Sequence, residues 1–208
     1  MNKTKIDWPG LDYTWNPITG CYHGCSYCYA RKIAMRFTGH FDPILHWDRF
    51  DEPFRAKKPA RIFVGSMGDM WGDFIRASWI NTVLDVIKAT PQHEYMFLTK
   101  NPLRYLGWFD GNRTLDNVLL GVTMEHSGKE MQPRLNAARQ LKKAGNKTFL
   151  SAEPLFGGFD GINLDEAFDL VIVGAMTGHG ATEPKKEWID SIRHNNIHYK
   201  HNIKPFLK

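Results

Sequence analysis

The sequence lacks most of what would place it outside an ordinary globular fold. No apolar run approaches the ~20 residues needed to cross a bilayer. The opening stretch, MNKTKIDWPGLDYTW, has no apolar core of the kind a signal peptide carries. A cytoplasmic protein with no membrane partner is therefore expected. Low-complexity tracts and a clear domain linker are also missing, so the 208 residues are expected to form one domain, 1–208. Cysteine is scarce: three residues, an odd number in a cytosolic chain, exclude a disulfide framework. Aromatic residues, by contrast, are plentiful. With 7 Trp, 7 Tyr and 13 Phe the chain is not disordered, and its 42% hydrophobic and 24% charged content is that of a soluble globular protein.

The charge balance is mildly positive. Lys and Arg number 27 against 22 Asp and Glu, a net of +5 with nine histidines neutral. Much of the excess lies in a basic C-terminal segment, residues 185–208. There Lys185, Lys186, Arg193, Lys200, Lys204 and Lys208 outnumber Glu187 and Asp190, and His194, His198 and His201 also fall. Such a segment fits an acidic partner or nucleic acid, and equally a solvated surface.

Short β-prone apolar runs recur along the chain: Arg61–Val64, Tyr95–Leu98, Val118–Val122, Lys147–Leu150 and Leu170–Val173. A less apolar first strand is expected to run through Tyr13–Ile18 and a last one through Ile203–Leu207, the latter weakened by Pro205. Several runs do not alternate, as expected for parallel strands buried on both faces. Helical spacing lies between them. Ala30, Ile33, Ala34 and Phe37 form one apolar stripe, Ile80, Val83, Leu84 and Ile87 a second, and Leu135, Ala138 and Leu141 a third that stops at Gly145. Trp188, Ile189 and Ile192 mark a last helix after Pro184, and Asn101-Pro102 reads as an N-cap followed by Pro at N1. Strand, helix, strand at this spacing is the signature of βαβ units. A complete eightfold barrel typically takes ~250 residues. The chain therefore predicts an α/β fold, a partial, open-sided (β/α)6–7 TIM-like barrel with parallel strands; a flavodoxin-like sheet is the alternative.

In parallel α/β folds ligands bind beyond the C-terminal ends of the strands. The residues there are Gly65-Ser66-Met67-Gly68-Asp69, Thr99-Lys100, Thr123-Met124-Glu125, Ser151-Ala152-Glu153-Pro154 and Gly174-Ala175-Met176-Thr177-Gly178. Glycine, hydroxyl and charged side chains recur at these positions, which places a polar site at one mouth of the sheet.

All three cysteines, Cys21, Cys25 and Cys28, lie in one eight-residue stretch, CYHGCSYC, within a cysteine loop at 20–29 that leads into a helix. The pattern C-x3-C-x2-C lets a loop point three thiolates inward. A [4Fe–4S] cluster usually takes four cysteines, so three leave one iron open to a small molecule. Helix-terminal amides beside the loop help hold thiolate charge. The competing reading is zinc, with His23 or a distant histidine completing a Cys3His site, but no second C-x2-C pair is present.

C-x3-C-x2-C with an aromatic before the third cysteine resembles the radical S-adenosylmethionine (radical SAM) signature. Trp15-Asn16-Pro17, Gly20-Cys21, Cys28-Tyr29-Ala30, RIFVGSMGDMW, LTKNP, GVTMEH, LSAEPL and VIVGAMTG follow in the order found in a family of compact radical SAM-like bacterial and phage proteins of unknown function. The resemblance spans nearly the whole chain. It implies that Cys21, Cys25 and Cys28 ligate a [4Fe–4S] cluster whose open iron takes the methionine end of S-adenosylmethionine (SAM). Reductive cleavage would then give a 5′-deoxyadenosyl radical that removes hydrogen from a substrate. Tyr27 is expected near the adenine. Gly65, Ser66, Gly68 and Asp69 occupy the place of the glycine-rich motif that holds the methionine amine, with Asp69 as candidate acceptor. Lys100 is a candidate for the SAM carboxylate, and Thr123, Glu125, Ser151 and Glu153 for ribose or substrate. Two departures stand out. Gly174-Ala175-Met176-Thr177-Gly178 lacks the acid of the Gly-Gly-Glu-Ser-Gly often seen there in relatives, and Pro205-Phe206-Leu207-Lys208 stops before an aromatic, glycine-rich tail. An eighth unit is therefore expected to be missing, leaving a side open to a large substrate or partner.

The function read from the sequence is thus a radical SAM enzyme using a [4Fe–4S] cluster and SAM. It would be reduced by an acidic flavodoxin- or ferredoxin-type donor and would act on an unknown substrate for which a nucleic acid or nucleotide is a candidate. The alternative is a non-enzymatic zinc or iron–sulfur module that binds nucleic acid or a partner protein, supported by the C-terminal segment and by Arg55–Arg61 (RAKKPAR).

Overall fold

The structure is a computed structural model and describes residues 1–111, 113–178 and 180–208. Its frame is an eight-stranded sheet of β1 (Asn2–Lys3), β2 (Tyr13–Trp15), β5 (Arg61–Val64), β6 (Glu94–Thr99), β7 (Val118–Thr123), β8 (Lys147–Ala152), β9 (Leu170–Val173) and β10 (Ile197–Tyr199), paired in that order. β1 runs antiparallel to β2, and all other neighbours are parallel. A ribbon of β3 (Ile18–Thr19) and β4 (Ile44–Leu45) stands apart from it. β10 does not pair back to β1 or β2, so the expected open-sided partial barrel is what forms. No helix among the described residues is long and apolar enough to cross a membrane.

Burial explains the strand sequences. β5, β8 and β9 are buried at every position after the first, because helices cover one face and an inner apolar layer covers the other. That inner layer joins Phe63 of β5, Met96 of β6, Phe149 of β8 and Ile172 of β9 to Trp8, with Leu98, Leu119 and Leu170 at its margin. Trp8 packs on Phe63 at 4.4 Å and on Phe149 at 5.3 Å between ring centroids. Two residues farther along β5, β8 and β9, on the same face, the side chains become small or polar: Gly65, Ser151 and Gly174. The apolar layer thus forms a floor with the polar strand ends above it.

The helix readings mostly hold. α3 (Ala77–Ala89) buries Ile80, Val83, Leu84 and Ile87, and α4 (Gln132–Lys143) buries Leu135, Ala138 and Leu141. α2 (Glu52–Arg55) and α5 (Lys186–Asp190) are short. Four expectations are corrected. The first strand breaks at Pro17, which sends Ile18 into the separate ribbon. Ile203–Leu207 is not a strand: Lys204–Leu207 is a 3-10 turn, and the last strand is β10, whose central His198 masked it. Asn101 stands at the N-cap position with Pro102 in the first turn, but the helix is 3-10 (Pro102–Gly107) and the Asn101 side-chain amide goes to the Trp71 carbonyl and Asp73 instead of capping it. In α1 (Tyr29–Thr38) the apolar stripe is not a core face, since Ile33 and Phe37 are 43% and 77% exposed and only Ala30 is buried.

The open flank is crossed by the N-terminal segment. Asp7 accepts from His198 Nε2 at 3.0 Å, from the His201 amide at 2.6 Å and from His201 Nδ1 at 2.5 Å, tying residue 7 to β10 across 191–194 positions of sequence. Burial raises the pKa of Asp7, but these hydrogen bonds outweigh it and hold the group at about 2. The folded value lies below the unfolded 3.8. The latch therefore contributes fully above about pH 4 and is lost as pH falls toward 2. Asp7→Asn is expected to cost on the order of 1 kcal/mol at pH 6, after allowance for solvent screening. The cost should vanish near pH 2; chemical denaturation at the two pH values measures the difference.

Candidate functional site

The strand ends and the cysteine loop enclose one cavity of about 580 Å³, within the ~300–1,000 Å³ typical of ligand clefts. Cys21, Cys25, Cys28 and Tyr27 line it from the loop, Gly65, Ser66, Gly68 and Asp69 from the end of β5, and Lys100 from β6. Thr123, Ser151 and Glu153 follow from β7 and β8. Of the residues singled out in the sequence, Glu125 alone stands behind the wall rather than in it. Lys200 and Asn202, just beyond β10, also line the cavity, as do Ile6, Trp8 and Phe63 at its floor. Sequence reading missed these because β10 was misplaced and the N-terminal segment belongs to no unit of the repeat.

Backbone packing positions the loop. Gly20 N donates to Met67 O at 2.9 Å, and Gly20 bridges Gly68. A Cβ on Gly68 would lie 2.6 Å from Gly20 O. A Cβ on Gly20, which has φ +89°, would lie 2.0 Å from Asp42 O. Neither position admits a side chain. Asn16 holds the opposing turn: its Oδ1 accepts from Met67 N at 2.8 Å and its amide reaches Ser66 Oγ at 3.1 Å. Cys28 is the N-cap of α1, its Sγ accepting from Arg31 N at 3.3 Å, and Cys21 Sγ accepts from His23 N at 3.4 Å. The expected helix-terminal support of thiolate charge is therefore present at Cys28.

Two carboxylates anchor the mouth. Asp69, 7% exposed, accepts through Oδ1 from Trp71 N and through Oδ2 from His23 Nε2 (2.9 Å), Thr99 Oγ1 (3.0 Å) and Lys100 N (3.0 Å). Four donors match the roughly four lone-pair sites of a carboxylate. His23 spends its Nε2 on Asp69, which leaves Nδ1 as its other ring nitrogen. Glu125, also 7% exposed, accepts from the Tyr27 hydroxyl, from Lys100 Nζ at 2.8 Å and from Arg134 at 3.3 Å, and Lys100 Nζ sits 5.1 Å from the Tyr27 ring centroid. Burial alone would raise the pKa of Glu125; Lys100, Tyr27 and Arg134 reverse that and lower it. Burial and the Glu125 charge push the Tyr27 phenol far above its ordinary value, so it stays a donor.

The donor set suits a cationic group. Burial, reinforced by Asp69, Cys25 and Cys28, pushes the Cys21 thiol up to about 12 against the His23 amide; burial also raises Cys25, opposed chiefly by Lys100. Thiols held neutral in this way become thiolate ligands only when a cation compensates them. Among the described residues no three His, Cys, Asp or Glu side chains converge closely enough for a single metal ion.

In the basic C-terminal segment Lys185, Lys186, Arg193, Lys204 and Lys208 are exposed, whereas Lys200 is not. Lys200 turns into the cavity and pairs with Glu153, Lys185 and Lys186 pair with Glu187 and Asp190, and His194 pairs with Asp165.

Fold and site together define an open-sided parallel α/β barrel with a three-cysteine loop over the C-terminal mouth of its strands. The chain belongs to the DUF5131 family, described as a protein of unknown function, whose model matches residues 3–207. No curated protein matches it. Solved structures of spore photoproduct lyase share the fold. A substituted form with bound AdoMet and dinucleoside spore photoproduct aligns at a TM-score of 0.60 and 17% identity, over 85% of this chain and 58% of that one. A form complexed with dinucleoside spore photoproduct gives 0.61 and 17%, over 84% and 58%. The chain thus spans less than two thirds of the length of these neighbours, and the likeness is one of fold.

Gly68→Ala is expected to lower stability by about 1–3 kcal/mol through overpacking against Gly20. Gly107→Ala, whose Cβ meets nothing within 4 Å, is the control and should stay within about 1 kcal/mol. Equal denaturation midpoints for the two variants would refute the close-approach account.

Proposed function

We propose that the protein is a radical SAM enzyme. The observation that carries this reading is the convergence of three loop cysteines, a buried Lys–Glu–Tyr cluster and a glycine turn on one cavity above an aromatic floor. Cys21, Cys25 and Cys28 would hold a [4Fe–4S] cluster, and with SAM bound that pair of cofactors supplies a 5′-deoxyadenosyl radical for hydrogen abstraction. The AdoMet held by the spore photoproduct lyase neighbour supports SAM as the second ligand.

The residues divide the work. The turn Gly65–Gly68 offers backbone carbonyls to the SAM ammonium. Asp69, filled by its own four donors, supplies negative potential behind the turn and braces His23. Lys100 keeps N–H groups for the SAM carboxylate while Glu125 fixes its position. Tyr27, held by Glu125, would lie by the adenine, and Thr123 and Ser151 would offer hydroxyls to the ribose. The floor of Trp8, Phe63 and Leu98 keeps water from below, which protects a reactive species from side reactions. Electrons enter from an acidic flavodoxin- or ferredoxin-type donor. α1 is the face that suits it: the helix begins at Cys28, carries Arg31, Lys32 and Arg36 with no acid, and exposes Ile33, Met35 and Phe37. The dinucleoside in the neighbouring lyase makes a nucleotide or nucleic acid the substrate to try first.

Electron paramagnetic resonance of the anaerobically reconstituted, dithionite-reduced protein is the test. A [4Fe–4S] signal that changes on adding SAM is expected, and Cys25→Ala should abolish the signal and SAM cleavage together. A well-folded protein that takes up stoichiometric zinc and no iron would replace this reading with the metal-module alternative.

A further inference from the structure

The two carboxylate–lysine pairs at the cavity are not equivalent. Glu125 is filled by Tyr27, Lys100 and Arg134. Glu153 is not: among the described residues its carboxylate takes one hydrogen bond, from Lys200 Nζ, and that ammonium gives its only one to Glu153. The side chains are 24% and 13% exposed, and both line the cavity. An ammonium has three donors and a carboxylate about four acceptor sites. Removing such a pair from water is costly unless the remainder is met. The pair therefore presents an unspent carboxylate oxygen beside unspent N–H groups.

The surroundings fix this arrangement. A Cβ on Gly174 would lie 2.8 Å from Glu153 Cδ and 2.9 Å from Oε1, so the missing side chain is what gives the carboxylate its place. Asn202 clamps the Ala175 backbone through both its amide groups, at 2.9 and 3.3 Å. Trp8 reaches the same cavity because Asp7 is latched to His201, the neighbour of Lys200. The indole Nε1 of Trp8 is buried without a partner among the described residues.

We propose that this corner is a substrate subsite for a planar heterocycle with an N–H beside a carbonyl, the lactam or imide edge of a nucleobase. The ring lies on the Trp8–Phe63 floor, its N–H donates to Glu153, and its carbonyl accepts from Lys200. A simple anion is disfavoured because Glu153 already neutralises Lys200 and repels it; a simple cation meets the reverse. A neutral edge with one donor and one acceptor uses both halves of the pair. This inference rests on the enzyme reading above and adds what the far wall of the cavity recognises.

Uridine and inosine carry such an edge, and 3-methyluridine and 1-methylinosine have its N–H blocked. Saturation-transfer NMR of the reconstituted protein, with and without SAM, compares them on the native chain. Uridine or inosine should bind saturably, and its methylated counterpart about tenfold or more weakly, as expected when a buried acceptor is left unmet. Glu153→Gln should weaken binding of the unmethylated nucleoside to a similar degree. No saturable binding of either nucleoside, equal binding of the methylated form, or competitive displacement by SAM would overturn the proposal; the last would give the pair to SAM itself. The same samples separate the two readings. A cluster signal indifferent to SAM fails the enzyme reading, whereas a response to SAM without nucleoside binding fails this one.

Discussion

The arrangement of the site depends on the contact between the Gly20 and Gly68 backbones. It sets the cysteine loop against the end of β5 at a distance that no side chain would allow. The remaining ties continue this pattern. Gly20, His23, Tyr27 and Tyr29 each bond to a strand end, through Met67, Asp69, Glu125 and Ser66 respectively. These four positions alternate with Cys21, Cys25 and Cys28. Each thiol is thus flanked by residues held on the sheet, and the loop is pre-organised by bonds that use none of its sulfurs as anchors. Such pre-organisation lowers the ordering cost of binding a ligand there.

Much of this was legible in the sequence because it rests on local pattern. Non-alternating runs such as LVIV at 170–173 mark strands buried on both faces, and β9 occupies those four residues. Ile80, Val83, Leu84 and Ile87 mark a covered helix face. The polar strand ends were legible for a related reason: in a parallel sheet every C-terminal end faces the same mouth, so residues far apart in sequence had to meet. What the sequence could not show was pairing across the fold. Ile197–Tyr199 reads as polar because His198 serves Asp7, and the resulting shift of the last strand hid Lys200 and Asn202. The stripe on α1 has helical spacing, but periodicity does not tell whether a face is covered, and here it is exposed. Asp69 and Glu125 looked alike as acids after strands; only their partners separate one filled by backbone and hydroxyl donors from one filled by cations and a phenol.

Charge inside the cavity follows a consistent logic. Each acid is compensated from other elements: Asp69 by the loop, β6 and its own turn, Glu125 by β6, α4 and the loop, Glu153 by the segment after β10. Because each compensation crosses elements, it also locks the strand ends in register around the mouth. The cost of burying these groups is thereby offset while a stiff polar rim is formed. The thiols are the exception. Burial raises the Cys21 and Cys25 thiols, and among the described residues the charge that opposes this at Cys25 is Lys100. Under the proposed reading, the cluster would supply the missing charge.

The open side of the barrel imposes the last constraint. Seven parallel strands leave the inner layer of Phe63, Met96, Phe149 and Ile172 unsealed, and apolar surface left to water is unfavourable. The chain meets this with Trp8, carried in by a segment that starts at the β1–β2 edge and is fastened to the β10 edge through Asp7. One aromatic ring and one carboxylate thus do the work of the missing strands at the level of the floor. Above the floor no strand among the described residues pairs across the gap, so the mouth stays open while the layer beneath it is closed. A strand in that place would have sealed both levels. The segment seals only one, and that is what lets a sheet of this size hold a cavity and a core together.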